Sequence, residues 1–230
     1  FDIDTDLFTN PLSTLKKNII MTIYDDETKT KYRFRISDII SIIINSLSHA
    51  PDFFCEPQKI KNPYTNIPFS EAQLYNIYFT IKHSPYIMPH LFHLYFINKF
   101  NINIFGKKNE CTIRDSAIQI FLKNASDDDK IYQIHKMIEA HSRELEGLTI
   151  ADGFPKDKLT DAFNRYLKLY LEEAYSLNPT IRYQAKRNLK LKLSKFKKLN
   201  PSFGRKILMR NQNYLNQNIL TANPFIFGNI

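Results

Sequence analysis

The sequence predicts a mainly α protein: a multi-helix, bundle-like domain with a small β-hairpin near its N-terminus. Three observations carry this expectation. The 230 residues are 43% hydrophobic, enough to build a substantial core. Only 5 are glycine, too few for an all-β chain full of tight turns or for glycine-rich phosphate loops. Tyr32, Phe34 and Ile36 alternate with Arg33 and Arg35, the two-residue period of a half-buried strand, whereas the chain beyond position 70 reads as successive helical stretches.

The first segment, FDIDTDLFTNPLSTLKK, reads as extended or loop. Two β-rich runs at 19–24 and 31–36 flank the polar stretch DDETKT and form the hairpin. Ser37 or Asp38 is expected to cap a helix, DIISIIINSLSHA, that stops before Pro51. Residues 51–69 are punctuated by Pro51, Pro57, Pro63 and Pro68 and carry Phe53, Phe54, Tyr64 and Phe69. Within them, Asn62-Pro63 opens a turn, since Asn bonds its own backbone and Pro presets φ. Ser70 and Gln73 then form a capping-box pattern before LYNIYF. KNPYTNIPFS is thus a turn followed by a helix start, with its aromatics stapled to the core.

Helical stretches are expected at 70–83, 89–100 and 111–124. Ser126 and the acids 127–129 suit the N-terminus and dipole of another, running to about 145. A long amphipathic helix covers 155–177, and Asn178-Pro179 opens one that reaches Leu199. The organisation expected is a hairpin plus helix (1–50), a Pro- and aromatic-rich connector (51–69), a helical body (70–176), and basic C-terminal helices with a tail (177–230). Asn-Pro recurs at 10, 62, 178, 200 and 223 without a fixed period, so it is punctuation and not a repeat.

Net charge is +9, and all of the excess is C-terminal. After Glu173 there is no Asp or Glu, and the last 57 residues hold eleven Lys/Arg. Ile181, Ala185, Leu189, Leu193 and Phe196 form one apolar helical stripe. Arg182, Lys186, Arg187, Lys190, Lys195, Lys197 and Lys198 mostly lie off it, and Arg205, Lys206 and Arg210 continue the charge. Such a helix docks on the core by one face and crowds cations on the other. Like charges one turn apart repel, and a polyanion relieves that repulsion while releasing counterions. These ten residues are the candidate anionic-partner site, for DNA, RNA, membrane head groups or an acidic protein surface. Base-specific readout is not expected, because no helix-turn-helix glycine, zinc-finger spacing or RNA-recognition aromatic motif occurs.

Other constellations read as structural. His83, His90 and His93 cluster in HSPYIMPHLFH, but no spacing adds a third or fourth zinc ligand, so they read as core-edge histidines with no metal. Glu172-Glu173 is placed on a helix surface and Asp115 in an ion pair with Arg114. Phe79 is read with Tyr75 and Tyr78 as core. Cys55 and Cys111 read as two buried free thiols, although one disulfide is possible. No nucleophile elbow, phosphate loop or zincin motif is present, so no catalytic residue and no cofactor is expected. No apolar run approaches 18 residues, so no transmembrane span is expected. The tail NPFIFGNI, with four apolar residues, is expected to dock on a neighbour or to pack back on the chain. The chain begins at Phe1, which reads as a fragment or a processed product.

The phrases KNPYTNIPFSEAQLYNIYF, MPHLFHLYFINKFNINIF, IRDSAIQIFLKN and NPSFGRK resemble a group of poorly characterised proteins of nucleocytoplasmic large DNA viruses, over roughly residues 30–210. The heavy use of Ile, Asn, Lys, Tyr and Phe also resembles the output of an AT-rich giant-virus genome. The resemblance implies context and no activity: a viral protein made in host cytoplasm and packaged in the virion among other virion proteins. The function expected is a non-catalytic minor capsid or core-associated protein, with a nucleic-acid-binding factor for transcription or packaging as the alternative.

Overall fold

The computed structural model describes residues 2–3, 5, 11–25 and 29–205. The protein is mainly α, with eight α-helices among the described residues and a small N-terminal sheet. The chain divides into two compact units, 1–117 and 118–230.

In the first unit, β2 (Ile20–Asp25) and β3 (Thr30–Arg35) form the antiparallel hairpin, in the register Met21↔Phe34 and Ile23↔Tyr32. A two-residue strand, β1 (Asp2–Ile3), adds in parallel to the other edge of β3. The period-2 pattern puts Met21, Ile23, Tyr32 and Phe34 on one buried face. β3 runs directly into α1 (Ile36–Leu47), which buries Ile36, Ile39, Ile43 and Leu47 at helical spacing. Neither Ser37 nor Asp38 caps this helix. Arg35 occupies the cap position without a side-chain bond, and the Ser37 hydroxyl donates instead to the Asp38 carboxylate at 3.2 Å. The reason is burial: Ile36 already serves the core, so the helix begins two residues earlier than a Ser37 cap would place it.

The loop 60–69 is closed by main-chain bonds from Asn62 N to Ile67 O (2.9 Å) and from Phe69 N to Ile60 O (3.0 Å). Asn62 Oδ1 accepts from Tyr64 N at 3.0 Å, the expected Asx turn. Tyr64 then lays its ring on Tyr32 and Phe34, with centroids 5.9 and 5.4 Å away, and donates its hydroxyl to the Thr5 carbonyl at 2.8 Å. Ser70 and Gln73 close a reciprocal capping box at the start of α2 (Glu71–Lys82). α3 (His90–Ile97) packs on α1 and α2 through Phe92 and Tyr95, while the Phe96 ring stacks on Tyr78 at 3.9 Å. Phe79, assigned above to the core, is 43% exposed. A short helix absent from the sequence reading, α4 (Ile102–Lys108), is capped by Asn101 and anchored by fully buried Phe105. At seven residues it is too brief for a periodic signal. In α5 (Glu110–Asn124), Arg114 grips Glu110 at 2.7 Å, because residues four apart share a helix face and adjacent ones do not.

The second unit is built on α6 (Asp127–Ala140), α7 (Lys156–Tyr175) and α8 (Pro179–Leu199), with α7 packed against both others. Phe163 lies 5.0 Å from Phe196 and 5.8 Å from Phe203, ring to ring, at the centre of its core. α6 stops at Ala140, short of the expected 145, because His141 and Leu145 turn inward and are buried. Gly204, near the end of the described residues, has φ +82°, and a Cβ there would sit 2.5 Å from the Thr149 carbonyl oxygen. Only glycine fits that position without displacing backbone.

Candidate anion-binding interface

α8 begins where the sequence places it. Asn178 Oδ1 accepts from the Thr180 and Ile181 amides at 3.0 and 3.3 Å, and Pro179 occupies the first turn. Ala185, Leu189, Leu193 and Phe196 are buried, and Ile181 is half-buried at the open end of the stripe. The helix has no Asp or Glu.

Its cations fall into two sets. Some hold the unit together. Arg182 Nε donates to the Glu173 carbonyl at 3.3 Å, Lys190 pairs with Glu144 at 3.2 Å, and Lys197 donates to the Pro201 carbonyl at 3.3 Å. Others stand outward: among the described residues no carboxylate pairs with Lys186, Arg187 or Lys198, and all three are exposed. Lys195 and Arg205 are exposed as well. Lys206 and Arg210, like the tail 223–230, lie outside the described residues. Helical periodicity puts Arg187 and Lys198 on the side opposite the buried stripe, together with Tyr183 (69% exposed) and Leu191 (64%).

Beside the N-terminal half of α8 lies a cluster that sequence reasoning missed. His141 is buried, with Nε2 2.9 Å from Glu173 Oε2 and Nδ1 3.6 Å from Glu144 Oε2. Glu173 is therefore not a free surface acid; its side chain is only 18% exposed. The two partners are 32 residues apart, so no local spacing could join them. The available signal was Tyr170, three residues before Glu173 on the buried face of α7. Burial alone would raise the Glu144 carboxyl, but its own backbone amide, Lys190 and His141 outweigh that and hold it below the ordinary carboxylate value. Burial pushes the Tyr170 phenol up to about 12, with Tyr175 adding to the rise, so it stays a neutral hydrogen-bond donor.

In the first unit, His93 Nδ1 shares a 2.8 Å hydrogen bond with the Tyr78 hydroxyl, and His83 Nδ1 donates to the Phe79 carbonyl at 2.8 Å. Among the described residues, no group of three His, Cys, Asp or Glu side chains is placed to hold a metal. Cys55 and Cys111 are free thiols, half-buried where full burial was expected, and burial pushes both upward. No helix among the described residues is long and apolar enough to cross a membrane. Comparison with protein-family models, with curated proteins and with solved structures finds no match to this chain.

Proposed function

We propose that this protein is a non-catalytic structural component of a large-DNA-virus particle, a minor capsid or core-associated protein that holds an anionic partner on the outer face of α8. It would be made in host cytoplasm and carried in the virion with other virion proteins. The observation supporting the binding half is the division of α8: a buried apolar stripe on one side and, at exposed positions, Lys186, Arg187 and Lys198 with no carboxylate partner among the described residues, on a helix without an acid. Solvent-facing cations without carboxylate partners keep their full attraction for a polyanion. The particle half rests on the resemblance of the sequence. Quantitative mass spectrometry of purified particles tests it: a structural component is present in high copy number, and absence from the particle overturns the assignment.

Tyr183 favours a second reading, a nucleic-acid-binding factor for transcription or genome packaging. Its ring is 69% exposed, one turn before Arg187 on the same face, and exposed aromatics beside cations are stacking platforms for bases. Binding to random duplex DNA should weaken with salt at a log–log slope of roughly −3 for about three phosphates engaged. A slope near zero rejects this reading. The triple change Lys186→Glu, Arg187→Glu, Lys198→Glu should abolish binding without lowering the melting temperature, since none of these side chains pairs with a carboxylate among the described residues. Lys190 and Lys197 are poorer test positions, because their bonds to Glu144 and Pro201 would be lost together with any partner.

A further inference from the structure

On α8 two kinds of exposed side chain coincide. Among the described residues of the second unit, the large apolar side chains left exposed are Tyr132 on α6, Leu177 at the corner into α8, and Tyr183, Leu191 and Leu199 on α8 itself. The same helix carries exposed Lys186, Arg187 and Lys198, which have no carboxylate partner among the described residues, and it has no Asp or Glu. We propose that the outer face of α8 is a docking surface for an anionic lipid bilayer, on which the helix lies flat. The proposal rests on the outer-face reading of α8 and names its partner.

The order of side chains along the helix selects this partner. Ala185, Leu189, Leu193 and Phe196 turn one side of α8 into its unit, so the opposite side is a single narrow strip. That strip reads Tyr183, Arg187, Leu191, Lys198: ring, cation, aliphatic chain, cation. It is about 22 Å long at the helical rise. The first three residues stand one turn apart, and Tyr183 and Leu191 are 69% and 64% exposed. Lys186 flanks them. A straight strip on a convex helix touches a plane better than it fills a groove. The plane must be anionic for the cations and, just beneath its charge, apolar for Leu191. A nucleic-acid duplex meets the first demand but leaves Leu191 against phosphate. A bilayer containing acidic lipid meets both. Its head groups take the cations, its interface suits the Tyr183 ring, and Leu191 reaches the acyl boundary. Each cation near such a surface strengthens binding about fivefold, so Lys186, Arg187 and Lys198 together supply on the order of a hundredfold.

Vesicle binding by the whole protein tests the proposal. The protein is sedimented with vesicles of phosphatidylcholine alone and of phosphatidylcholine carrying about one phosphatidylserine in four. It should bind the mixed vesicles and not the neutral ones, and less tightly as salt rises. Leu191→Ser, at an exposed position, should weaken vesicle binding about fivefold and leave any duplex-DNA binding unchanged. The chain contains no tryptophan, so Leu191→Trp reports from that position alone, and its emission should shift to the blue on the mixed vesicles. Equal binding to both vesicle types, indifference to Leu191→Ser, or an unshifted Leu191→Trp emission overturns the proposal. Binding to duplex DNA or polyglutamate with none to mixed vesicles also overturns it, while keeping the outer-face reading with a different partner. If the triple change Lys186→Glu, Arg187→Glu, Lys198→Glu alters binding to none of these anions, the outer-face reading itself falls and the proposal with it.

Discussion

The two units are stabilised by different means. In the first, aromatic rings supply shape: Tyr32, Phe34 and Tyr64 stack over the sheet, and Tyr78, Phe92 and Phe96 fill the space between α2 and α3. Among the described residues its buried polar side chains, Ser48 and Asn62, bond to nearby backbone, while Asp38 Oδ2 is buried without a hydrogen-bond partner. The second unit has an aromatic centre at Phe163, Phe196 and Phe203, but it also buries charge-bearing groups beside that centre. His141 lies between Glu144 and Glu173, and Glu144 reaches on to Lys190 of α8. His141 Nδ1 and Gln133 Oε1 are buried there without a hydrogen-bond partner. Buried polar groups left partly unsatisfied cost stability, and proteins retain them where they serve a site. Both units hold such atoms, and what sets the second apart is a buried His141 ion-paired to two carboxylates.

The largest expected effect lies at Phe163 in the second unit. Replacing this fully buried ring by Ala leaves a void between Phe196 and Phe203, and should cost about 3–5 kcal/mol. Hydrogen exchange should then show lost protection in α7 and α8 with β2 and β3 unchanged. An equal loss in both units would show that they are not separate cooperative bodies.

A smaller effect sharpens the role of charge. His141→Ala removes the Glu173 bond and leaves two carboxylates facing each other, at about 2 kcal/mol. His141→Gln, which can still donate to Glu173, should recover part of that in denaturant melts. The pH dependence has a definite sign. Because the folded state holds the Glu144 carboxyl low, the stability it contributes is present above the unfolded value of about 4.3 and is lost as pH falls through the folded value. Lys190→Met should lower stability at neutral pH and flatten this acid limb. An unchanged limb would mean that the Lys190–Glu144 pair carries no stability.

The smallest effect belongs to the first unit. Ser70→Ala deletes half of the capping box on α2 and should cost about 1 kcal/mol, with no change in the acid limb. A cost as large as that of His141→Ala would erase the distinction drawn between the units.

Features with local causes were legible in the chain of residues alone. The β2–β3 alternation, the Asn62 turn, the Ser70–Gln73 box, the Ser126 cap and the Asn178-Pro179 start each depend on residues within four positions of one another, and each stands where the spacing predicts it, except that Ile36, read as the last strand position, opens α1 instead. The buried stripe of α8 was equally legible, because 3.6-residue periodicity alone puts Ala185, Leu189, Leu193 and Phe196 on one side. Packing between distant helices, in contrast, settles which cations have a carboxylate partner among the described residues. Lys190 and Lys197 look identical to Lys186 and Lys198 in the sequence, yet among the described residues the first two are bonded within the fold and the other two have no carboxylate partner. It alone also brought His141 to Glu173 across 32 residues and set them against Arg182 and Tyr183. The physical reason is that caps and turns are closed by the chain's nearest neighbours, whereas a charge is partnered only once distant helices have packed.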